Sequence, residues 1–221
     1  MALLSELVAL CEANRVDTRA TLNVFARRLR EAGRISQAGR GRGAAHMTFL
    51  DGARFLIAAA ATDQPERAAD AEFEFSNTLL SSEGPHSSTF LDAASAPTLD
   101  VALARVLEAL ANESLDNAAR ERRAASIPGH DFGDMPPSPI VWLIVHRSGV
   151  QAQLRVLDEV FWYQHRALIA LTDVGTDRHL TDRAKDYEHA VARFRSGKNL
   201  RAELDQSLFR AVAGLIGGPR A

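Results

Sequence analysis

Ile140-Val141-Trp142-Leu143-Ile144-Val145-His146-Arg147-Ser148-Gly149-Val150-Gln151-Ala152-Gln153-Leu154-Arg155-Val156 is the stretch on which the fold class turns. Val150, Ala152, Leu154 and Val156 alternate with Gln151, Gln153 and Arg155, the period of a strand with one buried face. Residues 140–145 are apolar throughout, and Ser148-Gly149 suits the turn between two strands. A lone hairpin is marginal in water, so this one needs helices or a second subunit to pack on. The rest of the chain is dominated by helical spacing. The expected class is therefore mainly α with a small β-hairpin, an α+β protein.

Working outward, Leu99, Leu103, Val106, Leu107 and Leu110 predict a helix over 98–112. A further helix is expected over 66–80, followed by the loop Ser81-Ser82-Glu83-Gly84-Pro85-His86-Ser87-Ser88. Residues 120–139, with Gly129, Gly133 and four prolines, read as loop. Towards the C-terminus, Leu180, Ala184, Tyr187, Val191 and Phe194 form one helical stripe, and Leu200, Leu204, Leu208, Ala211 and Leu215 form another. The two predict an antiparallel helix pair whose stripes serve either the core or a dimer interface.

The N-terminal part is organised differently. Leu4, Leu7, Val8 and Cys11 predict a short helix over 3–13, and Asp17 or Thr18 is a suitable cap for a second helix reaching about Ala32. Gly33 can take the left-handed conformation that ends it. On that second helix Leu22, Phe25 and Leu29 share one arc, while Arg19, Asn23, Arg27 and Arg30 share a neighbouring arc of about 80°. Next, Arg34-Ile35-Ser36-Gln37-Ala38-Gly39-Arg40-Gly41-Arg42-Gly43-Ala44-Ala45-His46-Met47 has apolar residues near its ends and alternates Gly with Arg at its tip. It reads as a small hairpin whose glycines permit close approach to a surface. Thr48 with Asp51 three residues on is a capping-box signal for a third helix, to about Thr62. Helix, turn, helix, basic wing, helix is the order of a winged helix-turn-helix domain.

Residues 29–35 and 39–48 resemble the N-terminal domain of phage and prophage proteins of alphaproteobacteria. Their layout is similar to the MerR-type winged helix, without its aromatic-rich wing. Small terminase subunits of some tailed phages carry a comparable domain at the same end. The resemblance covers residues 1–62 and implies double-stranded DNA as partner. Arg19, Asn23, Arg27 and Arg30 would face the major groove, with Arg34, Arg40, Arg42 and His46 towards the backbone or minor groove. Two tasks stay open, transcriptional regulation as a homodimer or genome packaging as a ring. A third reading has the module binding protein.

Charge placement agrees with an anionic partner for the first segment. The chain of 221 residues has 26 basic and 28 acidic side chains, yet residues 1–45 carry a net +4, residues 46–118 a net −9 and residues 119–221 a net +3. With 24 of the basic residues Arg, arginine abundance by itself says nothing about function. The 46% hydrophobic and 24% charged content excludes wholesale disorder. Apolar runs such as 55–61 are about a third of the ~20 residues a membrane helix needs. One cysteine, Cys11, excludes a disulfide framework. It fits a reducing compartment, and with no basic leader the chain is expected to be cytoplasmic.

Catalytic patterns are weak. His179, Asp182, Asp186 and His189 share a helical face but lack metal-site spacing. His165 with Asp158 and Glu159 lacks a nucleophile, and there is no Gly-x-Ser-x-Gly elbow or Walker-type loop. No enzyme, cofactor or metal is expected. The expected organisation is a DNA-binding domain over 1–62, an acidic helix and linker over 63–97, and an α+β oligomerisation, effector or partner domain over 98–221.

Overall fold

In the computed structural model the structure describes residues 2–37, 46–81, 91, 96–126, 141–172, 180–195 and 200–218. Helix α1 (Leu4–Ala13) leads through a turn to α2 (Arg19–Glu31), whose first turn is capped by Thr18 accepting from the Thr21 N–H. Gly33 at φ 66° supplies the left-handed residue after α2. Helix α3 (Phe49–Ala61) begins with the expected capping box between Thr48 and Asp51. A 3₁₀ turn (Pro65–Arg67) leads into α4 (Ala68–Ser76), followed by strand β1 (Leu79–Leu80). Helices α5 (Leu99–Ala111) and α6 (Ser114–Ser126) come next.

Three strands then form a meander, β2 (Val141–His146), β3 (Gln151–Val156) and β4 (Glu159–Gln164). The chain finishes with α7 (Arg166–Thr172), α8 (Leu180–Val191), β5 (Arg201–Leu204) and α9 (Gln206–Gly217). The sheet is antiparallel, in the order β1-β4-β3-β2-β5. The fold is mainly helical and α+β, as expected, but the hairpin is the centre of a five-stranded sheet rather than a small appendage.

Each departure from expectation has a local cause. In β4, Val160 and Trp162 on one face and Phe161 and Tyr163 on the other hide the period of two, because bulky apolar residues fill both. Around β5, Leu200, Leu204 and Leu208 mimic a helical repeat. The helix starts only at Gln206, because the Asp205 carboxylate accepts the Leu208 N–H at 3.1 Å and caps it there. No antiparallel pair of C-terminal helices results: α8 packs on α7, and α9 packs on α5, α1 and α3. Residues 120–126 belong to α6 rather than a loop; the helix is mostly exposed and so shows no apolar stripe. The expected helix over 66–80 ends at Ser76, and Leu79 and Leu80 pair with Gln164 and Tyr163.

One face of the sheet carries the core, through Val141, Leu143, Val145, Ala152, Leu154, Phe161 and Tyr163. Helices α3, α5 and α9 pack against it. Helix α3 is buried nearly all round, with nine of its 13 residues inside. Gly52 is the point of closest approach to α9, where a Cβ would lie 2.5 Å from the Ile216 Cδ1. The N-terminal helices therefore share one hydrophobic core with the sheet and α9. The meander's tight turns hold Val150 and Leu157 at φ 49° and 58°. Both side chains are buried, which offsets the cost of that conformation for a residue with a Cβ. Among the described residues no helix is long and apolar enough to cross a membrane.

Candidate nucleic-acid interface

Helix α2 divides its faces cleanly. Leu22, Phe25, Ala26 and Leu29 are buried, whereas Arg19, Asn23, Arg27 and Arg30 are exposed. The Arg19 and Arg27 side chains are 60% and 57% exposed, and their nearest acids, Glu12 and Glu31, are themselves exposed and 3.8 Å away. Ion pairs of that kind hold side chains weakly, so these guanidinium groups are free to exchange partners. The stripe is a set of forked donors on a rigid helix, able to engage phosphates or base edges.

The segment after α2 is anchored from below by Asp51. Its carboxylate accepts from the Ser36 N–H at 2.8 Å and the Ser36 hydroxyl at 2.9 Å. It also accepts from the Thr48 N–H and the Thr48 hydroxyl, both at 2.8 Å. One buried carboxylate thus ties Ser36, just after α2, to Thr48 at the start of α3. Gln37 Nε2 donates to the Arg30 carbonyl at 2.6 Å, and the Met47 N–H donates to the Ala2 carbonyl at 2.9 Å. His46 is exposed beside these anchors. Arg40 and Arg42 lie outside the described residues.

Arg34 has a different role from the one expected. Its Nε and Nη2 donate to the two oxygens of Glu72 at 2.5 and 3.0 Å, and its guanidinium lies 5.1 Å over the Phe73 ring. Glu72 is fully buried and also accepts from the Ser76 hydroxyl at 2.5 Å. Arg54 joins the cluster, donating from Nε to Asp100 at 3.0 Å and from Nη1 to the Arg34 carbonyl at 2.9 Å. The bond to Glu72 pushes the Arg34 pKa further up, so the charge is fixed. Arg34 is thus tied to α4 as a structural cation, unlike the exposed arginines of α2. Nothing in the sequence near Arg34 announces this, because Glu72 is 38 residues away.

Cys11 is buried, and desolvation pushes its thiol up to about 12, as befits an inert small hydrophobe. Asp158 and Glu159 pair with Arg122, so they do not face His165. Glu74 does, at 3.6 Å from the His165 Nε2, while the His165 Nδ1 accepts the Ala167 N–H at 3.2 Å. With both nitrogens so engaged, His165 has no free lone pair for a general base. Among the described residues no group of three His, Cys, Asp or Glu side chains is arranged to hold a metal; His179 lies outside them.

Comparison with protein-family models, with curated proteins and with solved structures finds no match for this chain.

Proposed function

We propose that the protein binds double-stranded DNA as a transcriptional regulator of the phage or prophage type. In this reading α1, α2, the segment 34–47 and α3 act as a winged helix-turn-helix. Helix α2 enters the major groove and presents Arg19, Asn23, Arg27 and Arg30. Arg40, Arg42 and His46 contact the adjacent backbone or minor groove. Two copies engage two half-sites.

The observation that carries the reading is the exposed stripe of α2. Three arginines and an asparagine project from an exposed arc beside the buried one and are held only by weak surface contacts. The anchoring of the wing segment by Asp51 supports it, since a basic loop is of use for binding only if its base is fixed.

The test is anisotropy of full-length protein on random-sequence duplex DNA at two salt concentrations. Phosphate contacts by the three α2 arginines contribute about −2.7 to the log–log slope, a factor of roughly 40 between 50 and 200 mM salt, and contacts by Arg40 and Arg42 steepen it further. The combined variant Arg19→Ala, Arg27→Ala, Arg30→Ala should flatten that slope while leaving the melting temperature close to wild type. No binding at 50 mM salt, or an unchanged slope in the variant, would sink the proposal. Light scattering on the same samples reads the assembly: a dimer fits regulation, and a large ring fits packaging.

A further inference from the structure

We infer that a second basic site, a cleft of about 210 Å³ at the C-terminal end of α3, binds a phosphoryl group. Its lining includes four arginines, Arg67, Arg147, Arg193 and Arg195, together with Asp63 and Phe194.

Four like charges converging on one cleft are unfavourable unless each is matched. Three of them are. The Arg147 Nε donates to the Ala60 carbonyl at 2.8 Å, and its Nη1 reaches Asp63 at 2.5 Å, which caps the end of α3. Arg193 pairs with Glu74, and Arg195 Nη2 donates to Glu188 at 2.7 Å. Arg67 is the exception. It donates to the Arg193 carbonyl at 2.8 Å and stands 5.7 Å over the Phe194 ring, with no carboxylate among the described residues in pairing distance. Among the described residues, three carboxylates against four guanidinium groups leave one positive charge in the cleft.

The donors are also ordered in advance. Phe194 carries Arg67 at 5.7 Å and Arg193 at 4.9 Å from its centroid, and it meets the buried Phe75 edge-on at 6.0 Å. A guanidinium with five N–H groups that spends one or two on the protein keeps donors for a ligand, without a further entropy cost for its placement. Several forks arriving from different elements suit a tetrahedral anion with several acceptor oxygens better than a planar carboxylate. The volume lies below the ~300 Å³ at which ligand pockets usually begin, so the cleft takes the phosphoryl group and little beyond it.

That phosphoryl can come from a small phosphate ester or from a nucleic-acid backbone, since the 3₁₀ turn bearing Arg67 packs on α2. The site itself does not depend on the nucleic-acid reading. The experiment measures thermal stability and calorimetric binding of the full chain with inorganic phosphate. Sodium chloride at equal ionic strength and acetate serve as controls. Phosphate alone should raise the melting temperature, and binding should weaken about ten-fold or more in Arg67→Ala and in the exposed-site variant Arg195→Ala. Circular dichroism verifies that both fold. If the DNA backbone is the source, Arg67→Ala also lowers the salt slope on duplex DNA by about one. With a small ester as source, that slope stays as it was and the phosphate effect persists in the α2 triple variant. Equal effects of phosphate and chloride on the wild type, or unchanged phosphate binding in both variants, would overturn the site.

Discussion

Arg30 and Arg34 are four residues apart, yet one is exposed on α2 and the other is half-buried against Glu72. The same contrast divides the N-terminal arginines as a whole. Arg19, Arg27 and Arg30 look outward. Arg34 and Arg54 are 19% and 22% exposed and share a buried carboxylate cluster with Glu72 and Asp100. Residue type and local charge do not separate the two groups. What separates them is whether the fold delivers an acid from far along the chain. An arginine becomes structural when a distant carboxylate is buried beside it, and it stays available when its only acids are exposed neighbours.

The strongest way to break this comparison is Glu72→Ala. It removes the buried anion and leaves Arg34 without its carboxylate, while Arg54 keeps Asp100; the cost is up to about 3–5 kcal/mol, the range when a buried pair loses one member. Urea unfolding should show the loss, and Glu72→Gln, which keeps an acceptor for Arg34, should show less of it. A change below about 0.5 kcal/mol, the range of ordinary surface substitutions, would place Arg34 with the surface arginines after all. Asp51→Ala comes next. It strands four donors from Ser36 and Thr48 and removes the Asp51 half of the α3 capping box, for about 2–3 kcal/mol. Hydrogen exchange at the Ser36 and Thr48 amides should accelerate, and duplex affinity should fall with wild-type arginines still in place. Unchanged exchange at both amides would mean that Asp51 does not hold Ser36 and Thr48 in place.

The third test inverts the pattern. Alanine at Arg19, Arg27 and Arg30 together should shift stability by no more than about 0.5 kcal/mol per site, the usual range for exposed positions. Its effect should appear in binding instead. A melting temperature that drops as far as in Glu72→Ala would show that the stripe is structural too.

Some of this was legible in the sequence and some was not, for reasons that follow from range. Leu22, Phe25 and Leu29 announced their burial, and Thr48 with Asp51 announced a helix start, because both signals are local. The hairpin of β2 and β3 was readable because β3 alternates. Its neighbours were not, since β4 is apolar on both faces and β5 has only four residues. At the candidate site the α2 stripe could be drawn from helical geometry alone. The commitment of Arg34 could not, and neither could the role of Asp51 beyond its own helix, because both depend on contacts made only after folding. The arginine cleft brings together Arg67, Arg147, Arg193 and Arg195 from three separate stretches of chain, with no motif at any of them.

The smallest expected effect concerns a weaker cation in the same circumstances. His165 is buried near Glu74, as Arg34 is buried against Glu72, but Glu74 is already paired with Arg193 and stands 3.6 Å from the ring. Desolvation outweighs the attraction of Glu74 and, with Arg166 and Arg193 nearby, holds the His165 pKa below its ordinary 6.5. His146 is shifted in the same direction, by burial first and by Arg201 second. Because the folded pKa values lie below the unfolded one, the folded chain binds fewer protons than the unfolded chain within that window. The stability these neutral rings contribute is therefore complete above about pH 6.5 and declines as pH falls from there through the lower folded values. Thermal melts of wild type between pH 7.5 and 5.5 should show the decline, and the double variant His146→Gln, His165→Gln should melt with a shallower pH dependence. If the double variant kept the wild-type slope, neither ring would be held neutral by its surroundings, and burial without a free anion would not be what separates His165 from Arg34.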